Sequence, residues 1–182
     1  MKRIVILASG SGTLARAIFA AEKDYEIAAL ISDRPKAKVI EIAQEFGIEV
    51  EVLELTGDRN SWNQSLLELV AGYKPDLVVS AGFMRILAPD FVKAFKVINS
   101  HPALLPLFPG AHAVRDALAA GVAETGTTIH WVDEGVDTGA VIAQVNVEIT
   151  PTDTEETLHE RIKIIERGLI VATIPQVLAE LK

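Results

Sequence analysis

Short, continuous apolar runs recur along the first hundred residues of the chain. These runs, rich in β-branched side chains, predict buried strands at 3–8, 26–32, 48–53, 76–80 and 95–101. Between them, apolar positions repeat with the period of a helix, at 14–21, 38–46, 61–73 and 90–94. Strands that alternate with helices predict an α/β fold, in which helices cover both faces of a mostly parallel, twisted sheet.

The rest of the chain has a different pattern. A helix is predicted at 112–120, and apolar and polar residues then alternate over 127–132. An acidic glycine loop at 133–139 joins this strand to another at 140–147. Because that length is ordinary for a hairpin, we expect an antiparallel C-terminal hairpin at the sheet edge. A last helix is predicted from Asp153 to about Glu180, with Asp153 and Glu156 spaced as a capping box.

The first predicted strand leads into a glycine loop, Ser9-Gly10-Ser11-Gly12-Thr13, and then into a helix. This order is typical of mononucleotide sites, because glycines let main-chain amides approach an anion and the helix N-terminus adds positive potential. Ala15 stands where the dinucleotide pattern has its third glycine, and no Gly-Lys-Ser/Thr follows. Asp33 lies where a dinucleotide site has its ribose-binding carboxylate, and this position keeps the dinucleotide interpretation open. A tight turn that binds nothing is the other alternative.

Polar side chains with useful chemistry stand at Asn99-Ser100-His101-Pro102. Side chains alternate along a strand, so Asn99 and His101 should point the same way. Pro102 cannot donate to a sheet ladder, so the strand should end with His101 at its carboxyl edge, where open α/β sheets bind ligands. An amide donor and an imidazole that titrates near neutral pH would then share one side. The alternative is that both residues only cap a strand and a turn.

Composition narrows the possible functions. The formal charge of −8 argues against non-specific binding to nucleic acid. The absence of cysteine excludes disulfides, thiol nucleophiles and thiolate metal sites, and suits a reducing compartment. No histidines show ligand spacing with a carboxylate, so no metal is predicted. The first apolar run is shorter than the roughly 7–15 residues of a signal peptide, and none approaches the ~20 of a membrane span. We therefore expect a cytoplasmic protein.

Three sequence runs together resemble the signature of the folate-dependent formyltransferases. They are Gly-Phe-Met-Arg-Ile-Leu at 82–87, Asn-x-His-Pro-x-Leu-Leu-Pro at 99–106 and Val-Asp-x-Gly at 136–139. The resemblance implies a Rossmann-like fold in a single domain over 1–182, with a phosphate-binding half to about residue 98 and a catalytic and folate half from about residue 99. It implies transfer of a formyl group from 10-formyltetrahydrofolate, a co-substrate, to the amine of 5′-phosphoribosylglycinamide in purine biosynthesis. Small molecules are then the partners, no metal is needed, and a homodimer stays open.

The resemblance also implies roles for individual residues. Asn99 and His101 would hold the developing oxyanion, and Asp137 would pair with His101, which would protonate the departing folate nitrogen directly or through water. Residues that would bind the ribonucleotide are Ser11, Gly12, Thr13, Leu14, Lys163, Ile164, Ile165 and Glu166. Residues that would bind the folate, besides Asn99, are Arg59, Met84, Arg85, Ile86, Leu87, Asp133, Glu134, Gly135, Val136 and Asp137.

Alternatives remain at this stage. The glycine loop is one residue shorter than is usual for the family and lacks an asparagine, so its phosphate donors stay open. Methionyl-tRNA formyltransferase and formyltetrahydrofolate hydrolase share the signature, but they usually carry an additional domain, so the length favours the ribonucleotide enzyme. Outside the family, a nucleotide-binding module or a nicotinamide oxidoreductase stays open. Arg85 could reach solvent from a buried crossover, and His130 is expected to pack in the core rather than support Asp137.

Overall fold

Each of the seven apolar runs forms a strand in the computed structural model, which describes residues 1–181. The strands are β1 (Arg3–Leu7), β2 (Glu26–Ser32), β3 (Val50–Val52), β4 (Leu77–Ser80), β5 (Val97–His101), β6 (Glu124–Trp131) and β7 (Val141–Glu148). The helices are α1 (Thr13–Ala20), α2 (Lys38–Glu45), α3 (Arg59–Tyr73), α4 (Pro89–Ala94), α5 (Ala113–Ala120) and α6 (Glu155–Glu180).

The strands form one sheet in the order β3-β2-β1-β4-β5-β6-β7. Strands β1 to β5 pair in parallel, whereas β6 is antiparallel to both β5 and β7. This topology confirms the predicted Rossmann-like, mostly parallel sheet with an antiparallel hairpin at its edge. The Leu105–Pro106 peptide bond, just after β5, is cis.

Both faces of the sheet are covered, because successive side chains of a strand point to opposite sides. Ile4 and Ile6 of β1 pack into a core with α1, α2 and α6. Val5 and Leu7 pack on the other face with α3 and α4, where Trp62 is buried as part of the core. The continuous apolar run of β1 therefore has the pattern expected of a central strand buried on both faces.

The start of α6 differs from the prediction. Thr154 is the N-cap, and its side chain and that of Thr157 form the capping box. The predicted box of Asp153 and Glu156 is wrong because Asp153 lies one residue before the cap and binds elsewhere. Its carboxylate accepts from the Thr150 N–H at 2.7 Å and from Arg161 at 2.7 Å. Asp153 thus joins the end of β7 to the first turns of α6.

We expect Asp153→Asn to lower Tm at neutral pH and to make Tm less sensitive to acid. The Thr150 N–H, followed by Arg161 and the Thr157 hydroxyl, lowers the pKa of Asp153 to about 2. Because the folded-state pKa is depressed, this stabilisation is present above the unfolded pKa of about 3.9 and is lost as pH falls toward 2. Thermal melts from pH 7 to pH 2 should show the difference in Tm closing over that interval. A constant difference would contradict the assignment.

The carboxyl ends of the parallel strands place several loops beside one another. Leu7 of β1 pairs with Ser80 of β4, Ser80 with Asn99 of β5, and Asn99 with His130 of β6. The glycine loop, the 82–87 segment and the end of β5 therefore leave the same edge of the sheet, where ligands bind in open α/β folds.

Candidate active site

Four polar side chains meet where the parallel part of the sheet gives way to the hairpin. Asn99 and His101 lie on β5, His130 lies on β6, and Asp137 lies in the 133–139 loop. His101 Nδ1 lies 3.4 Å from Asp137 Oδ2, and His130 Nε2 lies 3.5 Å from Asp137 Oδ1. The Asn99 amide nitrogen lies 3.3 Å from His130 Nε2. The side chains of Asn99, His101 and Asp137, predicted to converge, are thus neighbours.

His130 is buried, as expected, but its ring also contacts Asp137, so the expectation that it would not support Asp137 is wrong. It stands opposite Asn99 in the antiparallel register of β5 and β6, and this pairing brings its ring to the carboxylate of Asp137. Its Nδ1 donates to the Trp131 carbonyl at 2.8 Å. Its Nε2 is therefore left between the amide of Asn99 and the carboxylate.

The proton positions on His101 follow from its partners. Nε2 lies 2.8 Å from the carbonyl oxygen of Phe108, and a carbonyl only accepts, so Nε2 carries a proton. The other ring nitrogen, Nδ1, faces the Asp137 carboxylate at 3.4 Å. His101 is almost completely buried, so these two contacts define the orientation of its ring.

Asp137 is held in its ionised form. Burial opposes ionisation, but the His130 side chain, the Gly110 N–H and the positive potential of both imidazoles outweigh it and keep the pKa of Asp137 below its ordinary value. The Gly110 N–H donates to Oδ2 at 2.8 Å. The backbone of Asp137 has a φ of +54°, which a non-glycine residue adopts only when its surroundings require it. The local fold therefore aims a carboxylate at two imidazoles.

The predicted folate segment, residues 82–87, has no regular secondary structure, yet it is fixed by side chains from other elements. Arg59 donates to the Ile86 carbonyl at 2.6 Å, and its guanidinium stacks on Trp62 at 4.9 Å. Arg85 does not extend into solvent, because its Nε donates at 2.6 Å to the buried carboxylate of Asp33. Arg59, expected to bind the folate, thus supports the main chain of this segment.

The engagement of Asp33 bears on the dinucleotide interpretation. Its side chain is completely buried, and its two oxygens accept from Ser9 and Arg85. A carboxylate that binds a ribose must be accessible to that ribose. This conformation of Asp33 therefore gives no support to a nicotinamide-dinucleotide site.

Several exposed apolar side chains belong to the loops that carry the predicted site. Met84, Ile86, Leu107 and Val136 are all among the exposed large hydrophobic residues, whereas Leu87 is buried in the core below. Exposed apolar groups gathered beside a few polar groups are typical of a ligand site. These side chains offer a flat aromatic ligand an apolar surface.

The acidic loop at 133–139 is shaped by its own contacts. Asp133 accepts from the Gly135 N–H at 3.0 Å and from the Thr138 hydroxyl at 2.6 Å, and the Thr138 hydrogen bond is the main reason for its lowered pKa. Glu134 pairs with Lys93 of α4 at 3.0 Å. The predicted folate residues at 133–137 therefore lie in an ordered turn next to the cluster of Asn99, His101 and His130.

The glycine loop has the conformation of an anion cradle. Gly12 is the N-cap of α1 with φ +75°, and an added Cβ would lie 2.8 Å from Val39 of α2. Ser11 and Thr13 are exposed. The Leu14 side chain is buried in the core, so only its main chain is open to a ligand. The unpaired N–H groups of the first turn of α1 provide the donors for an anion.

The predicted substrate residues of α6 have separate environments. Glu166 is largely buried and accepts from Ser100 Oγ at 2.5 Å, and burial raises its pKa. Lys163 pairs with Glu160 at 2.8 Å. The side chain of Ile164 is 60% exposed, whereas Ile165 packs against the apolar cluster around Leu158 and Ile162. Ser100 points away from Asn99 and His101, so β5 connects the catalytic cluster with α6.

Sequence reasoning missed several groups that complete the site. The Phe108 carbonyl and the Gly110 N–H belong to a loop whose sequence shows no chemical side chain. The contacts of Ser9 with Asp33 and Met84 were also not foreseen. Two sequence signals point to these groups. Pro109-Gly110 indicates a turn after β5, and the alternation along β6 puts His130 on its inner side.

Two further findings concern metal sites and membrane-spanning helices. Among residues 1–181, no group of three or more His, Cys, Asp or Glu side chains is arranged to hold a metal ion. None of the helices within the same residues combines the length and apolar character needed to cross a bilayer.

Comparisons with known proteins identify the family. Residues 2–174 match the family model described as Formyl transferase. Over 179 residues the chain is 49% identical to the phosphoribosylglycinamide formyltransferase of Mycobacterium tuberculosis, an alignment that covers 94% of this chain and 83% of the relative. Identity to the Bacillus subtilis protein of the same name is 40% over 186 residues, covering 98% and 95%.

Solved structures give the same result. Glycinamide ribonucleotide transformylase 1 from Symbiobacterium toebii superposes with a TM-score of 0.95 at 36% identity, covering 98% of this chain and 88% of that one. The phosphoribosylglycinamide formyltransferase of Bacillus halodurans gives a TM-score of 0.93 at 41% identity, covering 100% and 97%. With both a family model over most of its length and close relatives in sequence and fold, the chain belongs to the formyl transferase family of enzymes.

Proposed function

We propose that the enzyme transfers the formyl group of 10-formyltetrahydrofolate to the amine of 5′-phosphoribosylglycinamide, a step of purine biosynthesis. The observation that carries the proposal is the meeting of Asn99, His101 and Asp137 beside β4, at the same edge of the sheet from which the glycine loop and the 82–87 segment leave. The names of the relatives support the choice of acceptor. The absence of cysteine suits a reaction in the reducing cytoplasm.

The ribonucleotide is proposed to lie across the carboxyl edge from the glycine loop to β5. Strands in a sheet are about 4.8 Å apart, so the glycine loop after β1 and Asn99 on β5 are separated by about 10 Å. The 5′-phosphate would accept from the main-chain N–H groups of 11–14, and Lys163 and the Glu166 carboxyl would face the ribose and glycinamide. A ribonucleotide can span this distance with its amine at the catalytic cluster.

The folate is proposed to bind along the 82–87 segment, which leaves β4 next to the cluster on β5. Main-chain N–H and C=O groups of Arg85 and Leu87 make no hydrogen bond with another residue among 1–181, so they are available to the edge of the pterin ring. The exposed side chains of Met84, Ile86 and Val136 would cover its apolar faces. This placement brings the formyl group between Asn99 and His101.

The chemistry then requires charge stabilisation and two proton movements. The amine nitrogen attacks the formyl carbon, a C–N bond forms, and the carbonyl oxygen becomes an oxyanion that the Asn99 amide and a protonated His101 stabilise. When the bond to the folate N10 breaks, that nitrogen takes a proton and the attacking amine loses one. His101 Nδ1, next to Asp137, is the site from which a proton can be supplied, directly or through water.

The experiment is a turnover assay with both substrates. Mixing the enzyme with 10-formyltetrahydrofolate and phosphoribosylglycinamide should change the folate absorbance and form the formylated ribonucleotide. Ribose 5-phosphate, which lacks the amine, serves as the control acceptor and should give no product. Release of formate without an acceptor would identify a hydrolase instead, and no turnover together with tight nicotinamide binding would favour an oxidoreductase.

We expect Gly12→Ala to weaken ribonucleotide binding more than folate binding. The left-handed backbone and the 2.8 Å approach to Val39 mean that a methyl group must distort the loop, at a cost of about 1–3 kcal/mol in the free energy of unfolding. Steady-state kinetics should show a KM for the ribonucleotide raised about tenfold or more, which corresponds to at least about 1.4 kcal/mol. Urea unfolding measures the stability.

Gly72→Ala is the matched control for that substitution. Gly72 lies inside α3, and an added Cβ meets nothing within 4 Å. Alanine in a helix interior is more favourable than glycine by roughly 0.5–1 kcal/mol, so stability should rise and both KM values should stay unchanged. Equal KM values for wild type and Gly12→Ala would place the phosphate elsewhere.

A further inference from the structure

A completely buried carboxylate lies outside the catalytic cluster, at the end of β2. The side chain of Asp33 is 0% exposed. Its Oδ1 accepts from the hydroxyl of Ser9 at 2.5 Å, and its Oδ2 accepts from Arg85 Nε at 2.6 Å. A buried charge persists only when it is paired and hydrogen-bonded, and here both oxygens have partners. These partners belong to the glycine loop and to the 82–87 segment.

The direction of these hydrogen bonds is fixed by chemistry. An ionised carboxylate only accepts, so the Ser9 hydroxyl must donate its hydrogen to Asp33. The Ser9 oxygen is then free to accept, and it does so from the Met84 N–H at 2.9 Å. The Ser9 N–H in turn donates to the Gly82 carbonyl at 3.1 Å. Asp33 thus sets the orientation of the hydroxyl that holds the main chain at Met84.

We infer that Asp33 is a positioning residue that fixes the 82–87 segment in the conformation that receives the folate. The inference rests on the proposed function. The segment belongs to no helix or strand, so no ladder of backbone hydrogen bonds maintains its shape. One main-chain hydrogen bond anchors it, from the Ser9 N–H to the Gly82 carbonyl. The other three anchors use side chains: Asp33 on Arg85, Ser9 on Met84, and Arg59 on the Ile86 carbonyl. Two of these four anchors depend on the Asp33 carboxylate.

Removal of the carboxylate releases both anchors together. The Arg85 guanidinium loses its partner and can turn toward solvent, and the Ser9 hydroxyl can rotate away from the orientation that accepts from Met84. The segment then occupies several conformations, and the apparent dissociation constant for the folate rises by the inverse of the competent fraction. A competent fraction of about one tenth raises that constant about tenfold. Once bound, the folate restores the segment, so kcat at saturation changes little.

The test compares Asp33→Ala, Asp33→Asn and Ser9→Ala with wild type. Calorimetry measures binding of tetrahydrofolate, and steady-state kinetics measure kcat and both KM values. We expect Asp33→Ala to raise the tetrahydrofolate Kd and the KM for 10-formyltetrahydrofolate about tenfold or more, with kcat within about threefold. Asp33→Asn keeps one acceptor oxygen and should give an intermediate value. Ser9→Ala removes only the Met84 anchor and should raise Kd about three- to tenfold.

Asp153→Asn is the matched control, because Asp153 also has a nearly buried carboxylate that accepts from an arginine and a hydroxyl, at the junction of β7 and α6, which carries none of the proposed folate residues. It should lower Tm without changing Kd. A Kd for Asp33→Ala within twofold of wild type overturns the inference. If that variant does not fold, an unchanged Kd for Ser9→Ala overturns it. Failure of the wild-type protein to bind tetrahydrofolate overturns the proposed function, whereas normal wild-type binding with unchanged variants overturns this inference alone.

Discussion

Asp137→Asn is expected to lower kcat on the order of 10³-fold, within the range found for positioned acid–base groups. The substitution keeps the shape of the side chain but removes the charge that two imidazoles share, at 3.4 Å from His101 and 3.5 Å from His130. In the proposed reaction, His101 Nδ1 then has no anion to stabilise its proton while the folate nitrogen departs. The tetrahydrofolate Kd, measured by calorimetry, should change less than about threefold, because removal of a group that acts only in the transition state leaves binding intact.

Asp76→Asn is the control for this change. Asp76 also accepts from a main-chain N–H, that of Arg3 at 2.7 Å, and from a cation, Lys2 at 3.1 Å, but it lies at the opposite end of the strands. Its replacement should leave kcat and the folate Kd unchanged. If Asp137→Asn instead weakened turnover and folate binding to a comparable degree, Asp137 would be a structural residue of the 133–139 loop.

Asn99→Ala is expected to lower kcat about 10²–10³-fold, the usual loss when one oxyanion donor is removed. The amide nitrogen lies 3.3 Å from His130 Nε2 and faces the same side of β5 as His101. In the proposed reaction this amide donates to an oxygen whose charge develops only in the transition state. The KM values should therefore move much less than kcat, as steady-state kinetics with each substrate varied in turn will show.

Asn146→Ala offers a comparison for that result. Asn146 is an exposed asparagine of β7, paired with Gly126 in the same sheet, and it should tolerate the change within about 0.5 kcal/mol in the free energy of unfolding. A raised KM with an unchanged kcat for Asn99→Ala would mean that this amide contributes ground-state binding only.

The sequence predicts those parts of the site that depend on local periodicity. The alternation along β5 is enough to put Asn99 and His101 on one side, and Pro102 is enough to end the strand there. The continuous run of β1 predicts a central strand, and the glycines after it predict the cradle. Asp137 follows from the family resemblance of its loop, because nothing local brings residues 36 apart in the chain together.

The remaining parts depend on the register between distant strands. His130 meets Asn99 because β6 pairs with β5 in one particular antiparallel register. The pairing of β6 with β7 also shifts register between Ile129 and His130, and no local sequence pattern specifies that shift. The pairing of Asp33 with Arg85 joins positions 52 apart along the chain. Asp153 is a residue type that often caps helices, but Thr154 occupies the N-cap position of α6. The Asp153 carboxylate instead accepts from Thr150 and Arg161.

The position of Ser100 on the opposite side of β5 from Asn99 and His101 makes this strand sensitive to the deletion of a residue. Its hydroxyl meets Glu166 on one side, while its two neighbours serve the cleft on the other. Deleting a single residue upstream within this strand would turn every side chain over, so that a serine would enter the cleft and the amide and imidazole would meet α6. Losing two residues would restore the facing. The gene for this enzyme should thus accept paired codon losses at this point more readily than single ones.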